Sequence, residues 1–487
     1  MQQHMLPTDI IRFTDEDLNL FADASGDFNP LHLSAEYARS TPFGERVVFG
    51  CLGATAALGR IEPPEGHTPI SIDAEFLRPV FLAVEYRIET KTKGERRIAQ
   101  LFDGTTPVLS VSVRYAAVQH ESVHQPTPET ESGTLREQPV AHREDEIAVG
   151  SATSGIYPLR HSALSRLAQR WAVSDLFLVR LLAWSSYLVG MESPGESALF
   201  SRVSLSILSP APNCSLLYNA TVASVDPRFG QIELDVSISN GGTTVASGSC
   251  QACIRPGIPQ TTGIDPASSQ TESLRGKTAV IIGATRGLGA ALRQALEGRA
   301  GVVYSMSRGG DPSADPYLEV GDALDSSAIR RLRDRVLEEQ GKLDFLVCNA
   351  FPAILPLRME PNTADRIAEY IHTAVALTLN PMAEFLDALN RSGGCLIVIS
   401  SSAVDSPVRE WPHYIAAKQA IEGLGQVAAL QYRKVSTLIV RPPKLLTAMT
   451  NTPLGRIDAS DPADMARRIA DRLEQPMAAG KTEILDA

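Results

Sequence analysis

Two apolar stretches, Val47–Leu58 and Leu178–Val189, each end at a glycine, pass a proline and run into alternating apolar and polar residues. A run that is apolar on every side predicts a helix enclosed by protein, and strict alternation predicts a half-buried strand. The strands are Ile70-Ser-Ile-Asp-Ala-Glu-Phe and Ala198-Leu-Phe-Ser-Arg-Val-Ser-Leu-Ser-Ile. At an offset of 131, Gly59 meets Gly190, Pro63 meets Pro194 and Glu65 meets Glu196, so the first half reads as a tandem repeat. Further on the rhythm changes. Strand-like runs at Lys277–Ile282, Gly301–Ser305, Leu343–Cys348, Gly394–Ser400 and Ser436–Val440 are mostly separated by helical stretches. Such alternation predicts a parallel sheet with helices on both faces. Between Ser307 and Tyr317 the chain is too rich in glycine and proline for a helix, so one crossover is expected to be missing or much shortened.

Two polar, proline-bearing stretches without apolar period, Gln119 to Glu146 and Pro256 to Arg275, read as linkers. They divide the chain into 1–118, 147–255 and 275–487. The 487 residues are too many for one core, and 44% hydrophobic with 21% charged residues is ordinary globular composition. A net charge of −11 argues against nucleic-acid binding, while leaving room for an acidic carrier protein met by a local basic patch. No apolar run reaches membrane-spanning length and the first residues lack signal-peptide form, so a cytoplasmic location is expected. The cysteines at 51, 214, 250, 253, 348 and 395 are scattered, and Cys250-Gln-Ala-Cys253 sits in a strand-like run where positions three apart face opposite sides. Neither metal nor disulfide is expected.

The sharpest chemical signal lies in Phe21-Ala-Asp-Ala-Ser25-Gly-Asp27-Phe-Asn29-Pro30-Leu-His32, continuing through Phe43-Gly44 and Val47-Val48 to Gly50. A carboxylate and an imidazole on one short turn can divide the two proton transfers of a syn elimination, one taking an α-proton and the other protonating a leaving hydroxyl. The segment resembles the acid–base loop of the MaoC-like (R)-specific enoyl-thioester hydratases. The resemblance implies a hotdog fold, doubled here, with Asp27 and His32 catalytic and Asn29 tying the loop. It also implies that the backbone N–H of Gly50 polarises the thioester carbonyl, so Asn29 and Gly50 are assigned to the substrate side. Phe49 stands where that family usually has His. The second repeat lacks the motif and reads as a degenerate partner completing an acyl tunnel, an order opposite to that of the double-hotdog hydratases of peroxisomes.

The third block carries Gly283-Ala-Thr285-Arg286-Gly287-Leu288-Gly289 between a strand and a helix, where backbone must approach a pyrophosphate and a helix N-terminus faces its charge. With Asn349, Ser401 and Tyr414-x-x-x-Lys418 in order, it resembles a short-chain dehydrogenase/reductase. The resemblance implies an α/β Rossmann fold, Ser401 orienting a carbonyl, Tyr414 donating a proton with its pKa lowered by a nearby ammonium and the nicotinamide charge, and Lys418 holding ribose. It also implies adenine held at Asp322, a carboxamide contacted by Leu445 and Thr447, and a dimer or tetramer. The second strand ends without an acid, and Arg286 and Arg308 supply cations, so NADP(H) is favoured over NAD. Three positions depart from the family: Phe351 for Gly after Asn349-Ala350, Thr373 where a relay Asn is expected, and Pro443 for Gly.

Together the motifs predict reduction of a 3-oxoacyl thioester to a (3R)-hydroxyacyl thioester and its dehydration to a trans-2-enoyl thioester. The substrate would ride on acyl carrier protein or coenzyme A, in fatty-acid-like or polyketide biosynthesis. The same residues run in reverse would serve β-oxidation, and a third possibility is that one module is a non-catalytic acyl- or carrier-binding scaffold.

Overall fold

A computed structural model describes residues 9–117, 133–142, 146–209, 215–257, 273–299 and 301–486. The chain divides into two compact units, essentially residues 1–257 and 258–487.

The first unit is a double hotdog. Its strands are β1 (Asp9–Arg12), β2 (His67–Phe76), β3 (Glu85–Lys93), β4 (Arg96–Asp103), β5 (Thr106–Ala117), β6 (Ala152–Tyr157), β7 (Ala198–Ile207), β8 (Leu216–Asp226), β9 (Gln231–Asn240) and β10 (Thr243–Ile254). They form one antiparallel sheet in the palindromic order β1-β3-β4-β5-β2-β7-β10-β9-β8-β6. At the join Ile72 faces Leu205 and Ala74 faces Val203. The repeat offset makes Ile72 the counterpart of Val203 and Ala74 of Leu205, so a local twofold passes through the Asp73–Ser204 pair between them. All four apolar side chains are buried, which fixes the register, because a one-residue slip would turn them outward.

Helices α1 (Asp15–Ser25), α2 (Pro30–Leu33), α3 (Ala35–Arg39), α4 (Gly50–Leu58), α5 (His161–Trp171) and α6 (Leu176–Tyr187) complete this unit, α6 being extended by a π turn over Leu188–Glu192. Helices α4 and α6 pack on each other, and Cys51–Leu58 is buried throughout, as an all-apolar helix requires. Helix α4 begins three residues later than its apolar run, because Val48 donates its N–H to the Val80 carbonyl (2.7 Å) and Val47 bridges Phe81. Helices α1 and α5 are further counterparts, each closing on a left-handed residue, Gly26 or Ala172. After that residue the first repeat inserts residues 26–49 before its central helix, where the second goes directly through residues 172–175.

The first expected linker is partly structured. Residues 133–142 pack on the second repeat, with Val140 donating to the Met191 carbonyl (2.9 Å) and Ala141 bridging Gly195. The rest of that stretch, apart from Glu146, and residues 258–272 of the second linker lie outside the described residues, as does Cys214. Cys250 is buried and Cys253 half-buried on β10. No single helix among the described residues is long and apolar enough to cross a membrane.

The second unit is a Rossmann fold. Strands β11 (Thr278–Ile282), β12 (Val302–Ser307), β13 (Leu318–Val320), β14 (Phe345–Cys348), β15 (Cys395–Ile399), β16 (Ser436–Arg441) and β17 (Thr482–Asp486) form a parallel sheet in the order β13-β12-β11-β14-β15-β16-β17. Its helices are α7 (Gly287–Glu297), α8 (Ser326–Gln340), α9 (Ala364–Ser392), α10 (Pro412–Gln431), the short α11 (Pro453–Arg456) and α12 (Pro462–Leu473). Strands β11 and β15 are buried along their whole length, which accounts for their uninterrupted apolar sequences. No helix joins β12 to β13. Asp311 instead caps a turn through Ser313, and Asp315 pairs with Arg293 of α7. The strand order reverses between β11 and β14, and in such sheets the crevice beyond the carboxyl ends of the strands takes the ligand.

Candidate active sites

The inserted loop of the first repeat is built against the second repeat. Asp27 follows the left-handed Gly26 and is 2% exposed. One carboxylate oxygen accepts the N–H of Asn29 (3.0 Å) and the other the hydroxyl of Ser186 on α6 (2.7 Å). A Cβ at Gly190 would stand 2.5 Å from the same carboxylate, so only glycine fits there. Asn29 commits its amide to protein: its oxygen accepts from Leu31 N–H, and its nitrogen donates to the carbonyls of Gly190, Gly195 and Glu196. Its assignment to the substrate side is therefore corrected, because no amide hydrogen is left for a thioester oxygen. Asn29 locks the loop to the other half.

His32 remains partly accessible and does not hydrogen-bond to Asp27. Its Nδ1 lies 2.8 Å from the Val47 carbonyl, which can only accept, so Nδ1 carries the hydrogen and the neutral ring presents a bare Nε2. Phe49 stacks on the imidazole at 3.9 Å. Gly50 opens α4, where backbone N–H groups lack intrahelical partners, and a Cβ there would meet the Phe76 ring at 2.8 Å.

Burial moves the two groups in opposite senses. The Asp27 carboxyl is pushed up to about 7 by loss of solvent, against the hydrogen bonds from Ser186 and Asn29. The His32 imidazole is pushed down to about 4, chiefly by burial, with Arg255 adding to the shift against the bond to Val47. Arg255 is itself buried and donates to the Tyr37 hydroxyl and the Glu196 carbonyl, both at 2.8 Å. Near neutrality the imidazole is therefore neutral and the carboxyl about half protonated. Sequence reading gave Ser186, Gly190 and Arg255 no part in this site. The one available signal was the Ser185-Ser186 pair inside an apolar helix, since a hydroxyl buried there needs a partner.

Replacing Ser186 with Ala is expected to lower dehydration about tenfold through loss of a charge-assisted hydrogen bond. That bond holds the Asp27 pKa down, so its removal raises it and moves the alkaline fall of activity to higher pH. An unshifted alkaline limb in a pH–rate profile would show that Ser186 does not act on the carboxyl.

In the second unit the candidate residues gather at the carboxyl ends of the strands. Gly283 and Gly287 are left-handed, and a Cβ at Gly289 would lie 2.0 Å from the Gly283 carbonyl and 2.6 Å from the Asn349 amide. That amide donates to the Gly283 carbonyl (2.7 Å), tying β14 to the loop. Thr285 bonds Ser307 (2.8 Å) at the end of β12, and Thr447 packs against Gly287. Leu288 and Leu445 are buried, while Arg286, which caps α7, and Arg308 are exposed. Asp322 accepts the N–H of Leu324 (2.9 Å). A bare-backbone cradle opening into a helix N-terminus suits the pyrophosphate of a dinucleotide.

Ser401 interacts with the Tyr414 hydroxyl. Lys418 is 3% exposed, donates to the Ile399 carbonyl (2.8 Å), and places Nζ 3.6 Å from the centre of the Phe351 ring. The protein's own groups do not lower the Tyr414 pKa. Burial raises it against the hydrogen bond from Ser401, and burial moves Lys418 down to about 7 against the pull of Glu422, so the ammonium is only partly charged near neutrality. Thr373 lies within α9, where Tyr370, one turn earlier, turns its ring edge toward His413 at 4.3 Å.

Fold and cradle define a double hotdog followed by a dinucleotide-binding Rossmann unit. The family model for short chain dehydrogenases matches residues 277–454, and that for the MaoC like domain matches residues 1–113. A 3-hydroxybutyryl-CoA dehydratase of Methylorubrum extorquens is 37% identical over 102 residues, covering 19% of this chain and 65% of that protein. An uncharacterized oxidoreductase of the same organism is 32% identical over 200 residues, covering 37% of this chain and 77% of that one. Among solved structures, the alcohol dehydrogenase of the archaeon Thermococcus sibiricus complexed with 5-hydroxy-NADP aligns at a TM-score of 0.39 and 21% identity, covering 43% of this chain and 95% of that one. The chain belongs to the short-chain dehydrogenase family through its C-terminal unit and carries a MaoC-like dehydratase domain at its N-terminal end.

Proposed function

We propose that this chain is a bifunctional 3-oxoacyl-thioester reductase and (3R)-hydroxyacyl-thioester dehydratase, working toward a trans-2-enoyl thioester in fatty-acid-like or polyketide biosynthesis. On this reading residues 1–118 are the active hotdog repeat, 147–255 its degenerate partner and 275–487 the reductase. The substrate is carried on coenzyme A or an acyl carrier protein, a choice supported by likeness to a dehydratase named for 3-hydroxybutyryl-CoA. The enzyme is expected to be a cytoplasmic homo-oligomer.

The observation that carries the dehydratase reading is a buried carboxyl and an imidazole with a bare Nε2 on one short loop. With its Nδ1–H held by Val47, His32 offers Nε2 to the α-proton, and the fraction of Asp27 that burial keeps protonated near neutrality gives its proton to the departing hydroxyl. Groups whose environments push their pKa values apart are suited to such paired roles. The N–H groups opening α4 at Gly50 would receive the charge developing on the thioester oxygen.

In the reductase unit Gly283, Thr285, Arg286, Gly287, Leu288, Gly289, Arg308, Asp322, Asn349, Leu445 and Thr447 would hold NADP(H), which supplies the hydride. Arg286 and Arg308 are exposed and no acid ends β12, which favours a 2′-phosphate. Ser401 would orient the carbonyl, Tyr414 would protonate its oxygen, and Lys418 would hold the ribose diol. A scaffold role for this unit is the rival reading, favoured by Thr373 in place of a relay Asn and by Phe351 against Lys418.

Purified protein mixed with a 3-oxobutanoyl thioester separates these readings. Oxidation of NADPH with growth of enoyl absorbance is expected. Dehydration of 3-hydroxybutanoyl thioester with no turnover of NADPH or NADH would reduce the second unit to a scaffold.

A further inference from the structure

Lys418 has three N–H donors, and the described structure accounts for one of them, at the Ile399 carbonyl. Carboxylates stay outside ion-pair distance among the described residues; Glu422 is engaged by Arg441 and Ser400 instead. What covers the ammonium is the face of Phe351, 3.6 Å from Nζ to the ring centre. The same ring meets Tyr414 edge-on at 5.5 Å and Tyr370 at 6.3 Å. An oxygen accepting from Nζ on that side needs about 2.8 Å to the nitrogen and a further van der Waals separation from the ring, together about 6 Å. The gap is little more than half that, so ring and hydroxyl compete for one side of the ammonium.

The surroundings let the ring move while the loop stays. Ala350 is pinned by its N–H to the Ile282 carbonyl (2.8 Å), and its Cβ lies beside Gly283. Residues 351–360 have no regular secondary structure, and Phe351 itself is only partly buried.

We infer that Phe351 sets the cofactor affinity of the reductase unit: its ring sits on the face of Lys418 that a ribose hydroxyl would use and must swing aside before the nicotinamide end of the cofactor seats. This inference rests on the proposed role of Lys418 toward the ribose. Cofactor binding then breaks the contact between the Phe351 ring and the Lys418 nitrogen, and the measured affinity is lowered by that amount. Only the ring is exchanged, so the adenosine end still docks on the glycine loop in the wild type.

The test is a direct binding titration of NADPH and NADH, followed by nucleotide fluorescence, on the full chain without substrate. Phe351→Gly and Phe351→Leu are both used, the second preserving apolar bulk should the first misfold. Both are expected to bind NADPH more tightly than wild type, by about tenfold for Gly and less for Leu. Adding Lys418→Ala to either should cancel the gain, because ring and ribose then no longer compete for an ammonium. Equal or weaker binding by both variants, beside measurable wild-type binding, overturns the inference and leaves the reductase reading standing. Failure of every variant and the wild type to bind either nucleotide overturns both.

Discussion

Asp27→Asn is expected to lower dehydration by about 10³-fold and at the same time to make the first unit harder to melt at pH 8. The activity loss follows from the proposed role of the carboxyl, since an amide cannot give up the proton that the leaving hydroxyl needs. The gain in stability follows from burial. In the folded protein the carboxyl titrates near 7 rather than 3.8, so the stability tied to its neutral form is fully present below about pH 4 and is lost as pH rises through 7. At pH 8 the carboxylate is charged whether the chain is folded or not, and only in the folded state is it deprived of water. Removing that charge returns up to about 4 kcal/mol, or up to roughly 8–16 °C in melting temperature. The amide fits without strain, its oxygen accepting from Asn29 and its nitrogen donating to the Ser186 oxygen, which turns its own hydrogen away. Melting curves at pH 5 and pH 8 test the sign: the gain should be less than half as large at pH 5. Equal gains at both pH values would mean that the carboxylate is not being held in a dry site.

Tyr414→Phe should reduce carbonyl reduction by about 10³- to 10⁴-fold while leaving dehydration untouched. The ring keeps its edge-on contacts to Phe351 and Trp411, at 5.5 and 6.0 Å, so packing and nucleotide binding are retained. Only the hydroxyl that interacts with Ser401 disappears. Single-turnover oxidation of prebound NADPH on a 3-oxoacyl thioester reads the chemical step apart from binding. A variant retaining more than about a tenth of the wild-type rate would remove the phenol from the reaction.

Much of this was legible in short stretches of sequence and little of it across long ones. Asp27, Asn29 and His32 stand within six residues of each other, so their grouping could be read directly. What shapes the carboxyl could not, because Ser186 is 159 positions away and reaches it only through the pairing of the two repeats. Asn29 was legible as the residue that ties the loop, but not what it ties to: its three acceptors belong to residues 190–196. The glycine loop and Tyr414–Lys418 were visible from their spacing, whereas the raised phenol pKa follows from burial, which spacing does not report. Among fold elements, the three-residue β13 and the terminal β17 are too short for apolar alternation to stand out. Residues 133–142 are polar enough to look like spacer, yet their backbone pairs with the end of the second repeat.

Gly59 and Gly190 occupy matching places about the local twofold, but their neighbours differ. A side chain at Gly59 would strike the Trp171 carbonyl at 1.7 Å, and one at Gly190 would strike the Asp27 carboxylate. Of the two matching places, one thus receives the Asp27 loop and the other is closed by main chain. The Asp27 loop takes its rear wall from the second repeat, so the half without the motif shapes the half that carries it. Altering residues 186–196 is altering the acidic loop, although a reader confined to the first 113 positions would never see them.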